Sequence, residues 1–191
     1  MLPDLPGTGR VRQTPFVRYR LALATLAACA LAVPAANAAP SDSTTTVILV
    51  RHAEKDTLVI GADPPLNTAG MVRSQELARV LRNAGVSAFY STPWRRNKQT
   101  AQPLASRQGD TLIVVDAIDE TVRRLRTRHP GETVLVVGHS NTVPQIVEAL
   151  CGEKIPPFTE GDYDRLYVIT LAPGRPPSLL RLHYGAPGKS L

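Results

Sequence analysis

From Thr45 onward the chain alternates short runs of consecutive apolar residues with longer amphipathic stretches. Val47-Ile48-Leu49-Val50 and residues 133–137 are continuous and rich in β-branched side chains, as in strands buried on both faces. Ala88-Phe89-Tyr90 and residues 112–115 read as two further short strands. Helices are expected between them. One covers 68–84, where Leu77, Val80, Leu81 and Ala84 fall at i, i+3, i+4, i+7 and Gly85 is placed to end it. Others cover about 94–107, 118–128 (closed by Pro130-Gly131) and 143–151, with Pro144 near its first turn. Residues 165–171 and 178–183 read as two strands joined through Pro173-Gly174-Arg175-Pro176-Pro177. Strands alternating with helices predict an α/β protein with a mostly parallel central sheet, helices on both faces, and hence a three-layer α/β/α sandwich.

The composition admits this. With 191 residues, 43% hydrophobic and 20% charged, 13 Gly and 17 Pro, the chain is not a collagen, a coiled coil or wholly disordered. Its length suits one compact domain. The net charge of +6 points toward nucleic acid until it is located. Half of it sits in residues 1–38, where Arg10, Arg12, Arg18 and Arg20 face only Asp4. The arginines precede an apolar run over 21–33, then Pro34 and the small-x-small triplet Ala36-Asn37-Ala38. That order reads as an export signal over 1–38, with Ala39 as the new N-terminus. The apolar run is shorter than the roughly 20 residues a spanning helix needs, so the mature chain is expected to have no transmembrane span. Leu26-Ala27-Ala28-Cys29 resembles a lipoprotein box, which would keep a lipid anchor on Cys29; it ranks second because apolar sequence continues past it. Residues 39–44 read as a flexible stub and 45–191 as the domain. A periplasmic or secreted location follows. With Cys29 removed, Cys151 stands alone, excluding an intramolecular disulfide, and reads as a structural thiol.

Parallel α/β sheets bind ligands at the carboxyl ends of their strands. Here those ends carry Arg51-His52, then Ser91-Thr92 with Arg95-Arg96 in the following helix, then Asp116, then Gly138-His139-Ser140-Asn141. Two arginines beside a helix N-terminus suit a tetrahedral anion, because guanidinium forks and unpaired backbone N–H groups both point at phosphate oxygens. Two histidines add chemistry. A neutral imidazole can attack phosphorus and carry the phosphoryl group, splitting one hard step into two, while its neighbours stabilise the shifting charge. This requires His52 neutral and oriented, for example by a backbone carbonyl on one ring nitrogen. His129 and His183 read as ordinary core or surface histidines.

The residues resemble the histidine phosphatase superfamily, also called phosphoglycerate mutase-like. Arg51-His52-Ala53-Glu54 is similar to its Arg-His-Gly-Glu signature, with Ala53 replacing Gly, and Leu66-Asn67-Thr68-Ala69-Gly70 to its Leu-Thr-x-x-Gly segment. Residues 91–101 are similar to its Ser-x-Pro-Leu-x-Arg-x-x-Gln-Thr-Ala run, which singles out Arg96 over Arg95, and residues 136–142 to its second-histidine motif. The resemblance spans 45 to about 152 and implies that superfamily's fold and an exported phosphatase. His52 would be the phosphorylated nucleophile, and Arg51, Arg96 and His139 would complete the phosphoryl pocket, with Ser140 and Asn141 as further substrate-binding candidates. No cofactor and no metal are implied. The substrate would be a small phosphorylated compound or a phosphorylated cell-envelope component.

Two departures matter. Members with a glutamate general acid carry it in an insertion between the arginine helix and the second histidine, and only about 37 residues separate Thr100 from Gly138 here. Asp116 is the leading substitute, with helix N-capping as its alternative role. Without an acid, acyl phosphates or phosphohistidine would be easier substrates than alkyl monoesters. The residue at 58 is Leu, where mutases often carry Asn, and a mutase role is disfavoured. Lys55, Asp63 and Arg95, and the stretch from Glu160 to Arg165 with Tyr163, border the expected site without a defined role. The arginines at 123, 124, 126 and 128 lack aromatic interleaving for stacking bases, so no nucleic-acid partner is expected. A binding module of the same fold is the alternative to an enzyme. A metal hydrolase built on His52, Glu54, Asp116 and His139 ranks lower, because no helical His-x-x-x-His or Cys-x-x-Cys pair supports it.

Overall fold

A computed structural model describes residues 43–188. The expected leader, its cleavage site, Cys29 and most of the stub lie outside the described residues. Ten elements follow in order: β1 (Thr45–Arg51), α1 (Thr68–Val80), β2 (Val86–Ser91), α2 (Arg95–Gln108), β3 (Leu112–Val114), α3 (Ile118–Thr127), β4 (Thr133–Gly138), α4 (Thr142–Cys151), β5 (Arg165–Leu171) and β6 (Ser178–His183). The strands form one sheet in the order β3-β2-β4-β1-β5-β6. β3, β2, β4 and β1 are mutually parallel, whereas β5 runs antiparallel to β1, and β6 to β5. The mostly parallel sheet expected from the sequence is therefore present, with an antiparallel pair at one side.

Alternation along each strand builds two cores. Val47, Leu49, Val134 and Val136 face α3 and α4, packing with Leu125, Val143, Ile146, Val147 and Leu150. Ile48, Val50, Leu135 and Val137 face α1 and α2, packing with Leu77, Leu81, Ala101 and Leu104. A strand feeding both cores has no polar face, and this is why Val47–Val50 reads as an unbroken apolar run. Among the described residues no helix is long and apolar enough to cross a membrane.

Helix ends differ from expectation in one place. α1 stops at Val80, not near Gly85, and Leu81 is its C-cap with its N–H on the Leu77 carbonyl. Leu77 and Leu81 are buried but Val80 and Ala84 are exposed, so only half of the apolar spacing that suggests a longer helix is packed. At the other end Asn67 caps α1, its side chain accepting from Gly70 N at 2.9 Å.

Candidate active site

The pairing of β1 with β4 determines the centre of the site. Arg51 lies in register with Gly138, and His52 N donates to the Gly138 carbonyl at 2.9 Å, so the chain leaves both strands at the same level. The two residues immediately beyond, His52 and His139, consequently meet edge to face with ring centroids 5.4 Å apart. A side chain on Gly138 would collide with Thr142 Oγ1 and Val143 Cγ2, which fixes glycine where the strand turns into α4.

His52 is buried, and its Nδ1 lies 2.8 Å from the Ala53 carbonyl oxygen. A carbonyl only accepts, so Nδ1 carries the proton and Nε2 presents its lone pair. This is the orientation by a backbone carbonyl that a nucleophilic imidazole needs. Burial drives His52 from 6.5 down to about 3, aided by Arg51, Arg96 and His139, while the Ala53 hydrogen bond opposes the shift. His139 falls to about 4, chiefly through burial and then the Arg96 charge, with Asp116 acting against. Both rings are neutral at neutral pH. His139 Nε2 shares a hydrogen bond of 3.1 Å with the Thr92 hydroxyl, and its backbone N–H is held by Thr142 Oγ1 at 2.8 Å.

Two arginines approach the same place. Arg51, buried at the end of β1, is held by the Thr159 carbonyl at 2.6 Å, and its guanidinium lies over the Tyr163 ring, 4.3 Å from the centroid. Arg96, in the first turn of α2, stacks on Trp94 at 5.0 Å and approaches Asp63 at 3.9 Å. Its desolvation lowers its pKa. In both, Nε is buried without a hydrogen-bond partner. Two desolvated donors left unpaired are costly unless an anion completes them.

Supporting contacts explain the other motif residues. Thr100 Oγ1 accepts from Ala53 N at 3.0 Å and donates to the Arg96 carbonyl at 2.7 Å, joining the first and third motifs. Gln99 Oε1 accepts from Leu66 N at 2.8 Å. Asn97, fully buried, donates to the Val137 and Gly138 carbonyls at 3.1 and 3.0 Å, fixing α2 against the end of β4. Glu54 faces Arg73 in a three-bond ion pair, the shortest at 2.8 Å, and Arg73 in turn donates to the Tyr184 and Ala186 carbonyls. That pairing commits Glu54 to a structural role, which takes a member from the metal-ligand set considered above. Among the described residues no group of three His, Cys, Asp or Glu could hold a metal ion.

Ser140 and Asn141 occupy the turn between β4 and α4, Ser140 half-buried and Asn141 exposed as the α4 N-cap residue. Asp116 is exposed beyond β3, lines a small cavity with Thr92, Gly138 and Thr142, and acts on His139 through its charge. It does not cap α3: the N-cap residue is Ala117, and no side chain caps that helix. Asp63 instead caps α2 from the β1–α1 connection, its Oδ1 accepting from Arg95 N at 2.8 Å. His129 is a satisfied buried histidine between Tyr90 Oη (2.8 Å) and Glu132 (2.7 Å), and His183 is an exposed one beside Asp164. Cys151 is half-buried in α4, donating to the Val147 carbonyl.

The connection between α4 and β5 is expected to border the site, with no residue of it given a specific role. It supplies the Thr159 carbonyl that holds Arg51, and Tyr163, whose ring lies 6.1 Å from that of His52. The carbonyl has no sequence signal. The aromatic, placed just before a strand that pairs with β1, was the available one.

Two neutral imidazoles and two under-partnered guanidiniums meet on one edge of the parallel sheet, an arrangement that suits a tetrahedral oxyanion. Residues 47–121 match the sequence profile of the histidine phosphatase superfamily (branch 1). Over that stretch the chain is similar to the superfamily, and its fold agrees: it is similar to the protein histidine phosphatase SixA complexed with tungstate, with a TM-score of 0.62 and 21% identity, over 72% of this chain and 96% of that one. It is likewise similar to the alpha-ribazole phosphatase from Shigella flexneri, with a TM-score of 0.60 and 14% identity, over 76% of this chain and 100% of that one. Over 86 residues it is 33% identical to a probable phosphatase of Schizosaccharomyces pombe, a stretch covering 42% of this chain. The chain spans only 30% of the length of that curated relative.

Proposed function

We propose that this protein is a phosphatase that transfers the phosphoryl group of its substrate to His52 Nε2 and then to water. The observation that carries the reading is the pair of buried, unpartnered arginine Nε atoms, on Arg51 and Arg96, beside an imidazole whose Nε2 lone pair is free. In this reading the guanidiniums take the phosphoryl oxygens, and their charge offsets the charge developing on them. Neutral His52 attacks phosphorus, the P–O bond to the leaving group breaks, and the adduct on Nε2 is later displaced by water. His139, with Thr92 on its Nε2, lies on the same face, and its neutral ring donates its N–H to an equatorial oxygen. Ser140 and Asn141, at the start of α4, complete the anion's surroundings, where the helix N-terminus favours negative charge.

The name of the SixA neighbour, a protein histidine phosphatase, supports a phosphorylated compound as substrate. The leader-like residues 1–38 support action in the periplasm or outside the cell.

The test is phosphate release from 4-nitrophenyl phosphate and acetyl phosphate by the purified chain, in EDTA, beside His52→Ala. Turnover that persists in EDTA and is abolished in His52→Ala, with an acid-labile, base-stable phosphoprotein trapped in the wild type, is the expected result. No turnover above His52→Ala with either substrate overturns the reading in favour of a phosphate-ligand-binding module.

A further inference from the structure

The reaction proposed above needs a proton for the departing oxygen, and three carboxylates border the site. Asp63 is committed to the start of α2, accepting from Arg95 N at 2.8 Å. Asp116 stands on the side of His139. Glu160 differs from both. It lies on the α4–β5 connection that holds Arg51, is 72% exposed, and accepts no hydrogen bond; its Oε2 is 3.8 Å from Arg51 Nη2. It also lines a cleft of about 340 Å³ running between this connection and the first turn of α1, with Ala69, Tyr163, Ala186 and Pro187 among its apolar walls. Tyr163 is the wall shared with the phosphoryl site, since its ring faces both Arg51 and His52.

We propose that this cleft is the leaving-group subsite and that Glu160 is the proton donor to the leaving group, an inference that rests on the phosphatase reading. A phosphoryl group on Arg51 sits at the mouth of the cleft, so whatever it is bonded to enters beside Tyr163. The first step forms the His52 Nε2–P bond and breaks the P–O bond; the bonding pair goes to the leaving oxygen, which takes the Glu160 proton and departs as the alcohol. In the second step water attacks phosphorus and gives its proton to the Glu160 carboxylate, and the N–P pair returns to Nε2. The cleft is small and mixed, with an aromatic wall and a carboxylate at its mouth. It therefore suits a compact alcohol bearing a further hydroxyl or amine donor.

The experiment compares full-length wild type, Glu160→Gln, Glu160→Asp and Asp116→Asn on 4-nitrophenyl, phenyl and glycerol phosphates, in rising order of leaving-group basicity. For Glu160→Gln the loss of kcat/KM is expected to grow along the series, from about threefold with 4-nitrophenyl phosphate to about 100-fold with glycerol phosphate. Glu160→Asp recovers part of it, and Asp116→Asn shows no dependence on the leaving group. Filling the cleft by Ala69→Phe raises KM for phenyl phosphate more than for acetyl phosphate. A uniform loss in Glu160→Gln, a leaving-group-dependent loss in Asp116→Asn alone, or equal KM changes in Ala69→Phe overturns the inference. A His52→Ala control on 4-nitrophenyl phosphate reports separately on the phosphatase reading. If wild type does not exceed that control, the reading fails and the inference falls with it.

Discussion

At the scale of single residues, the hydroxyl of Thr100 links His52 to the helix that carries Arg96. It satisfies the amide of Ala53, whose own carbonyl orients His52, and it anchors the first turn of the helix carrying Arg96. Thr100 is fully buried, so no water replaces the hydroxyl once it is lost. Thr100→Val keeps the shape and strands the Ala53 N–H, at a cost of about 1–3 kcal/mol. The expected kinetic result is a fall in kcat with little change in KM, because the imidazole loses orientation while both arginines remain. Thr100→Ser restores the hydrogen bonds and should recover most of kcat. A Thr100→Val enzyme whose KM rises and whose kcat holds would place the residue in binding instead.

At the scale of elements, the site depends on how closely α1 approaches the end of β1. Gly70 is in the first turn of α1, and a Cβ there would run into the Glu54 carbonyl, with the Glu54 nitrogen at 3.0 Å. Both obstacles are backbone, so nothing rotates aside and the helix itself must shift. The Glu54–Arg73 pair spans the same contact and ties it to the chain after β6. Gly70→Ala is expected to destabilise by about 2–3 kcal/mol, in the range of overpacked cores, read as a lower urea midpoint at unchanged m. Gly109→Ala, at the left-handed C-cap of α2 where a Cβ meets open space, should cost about 1 kcal/mol. Equal losses at the two glycines would remove the close approach as the cause.

This scale also shows what the chain's pattern discloses. β5 and β6 are found with the expected limits, since proline and glycine bound both, and strands that feed two cores announce themselves as unbroken apolar runs. The strand-end histidines and arginines are legible for the same reason: polar residues directly after a buried run have one edge on which to gather. The spacing carries α1 too far because Ala84, exposed and outside the helix, falls at an apolar position of the same period. Asp116 was read as an acid or a cap because an acidic residue before a helix suits both, yet the cap position falls on Ala117. The Thr159 carbonyl under Arg51 left no trace at all, since a main-chain acceptor is the same for every residue type.

At the scale of the whole molecule, keeping two imidazoles neutral at the site makes folding depend on pH. Unfolded, each histidine titrates near 6.5; folded, His52 titrates at about 3 and His139 at about 4. Between these values and 6.5 the unfolded chain binds more protons than the folded one. Stability therefore rises with pH through that window and is lost as pH falls from 6.5 toward 4. Each fully differential histidine contributes about 1.4 kcal/mol per pH unit, and His139, the less buried ring, contributes less than His52. Against a domain stability of about 5–15 kcal/mol, two such groups remove a substantial share before carboxylates with lowered pKa values protonate. Asp162 and Asp164, whose pKa values are lowered, act in the same direction but only below the ordinary carboxylate range. The two sources therefore separate along the pH axis. Thermal midpoints should drop steeply between pH 7 and 4 in the wild type, and His52→Gln/His139→Gln should flatten that drop while keeping the carboxylate contribution at lower pH. Tungstate or phosphate at a hundredfold excess over its Kd should add about 2.7 kcal/mol by occupying the guanidiniums, an increment that Arg96→Ala loses. A slope between pH 6.5 and 4 that survives the double substitution would assign the dependence to groups other than the paired imidazoles.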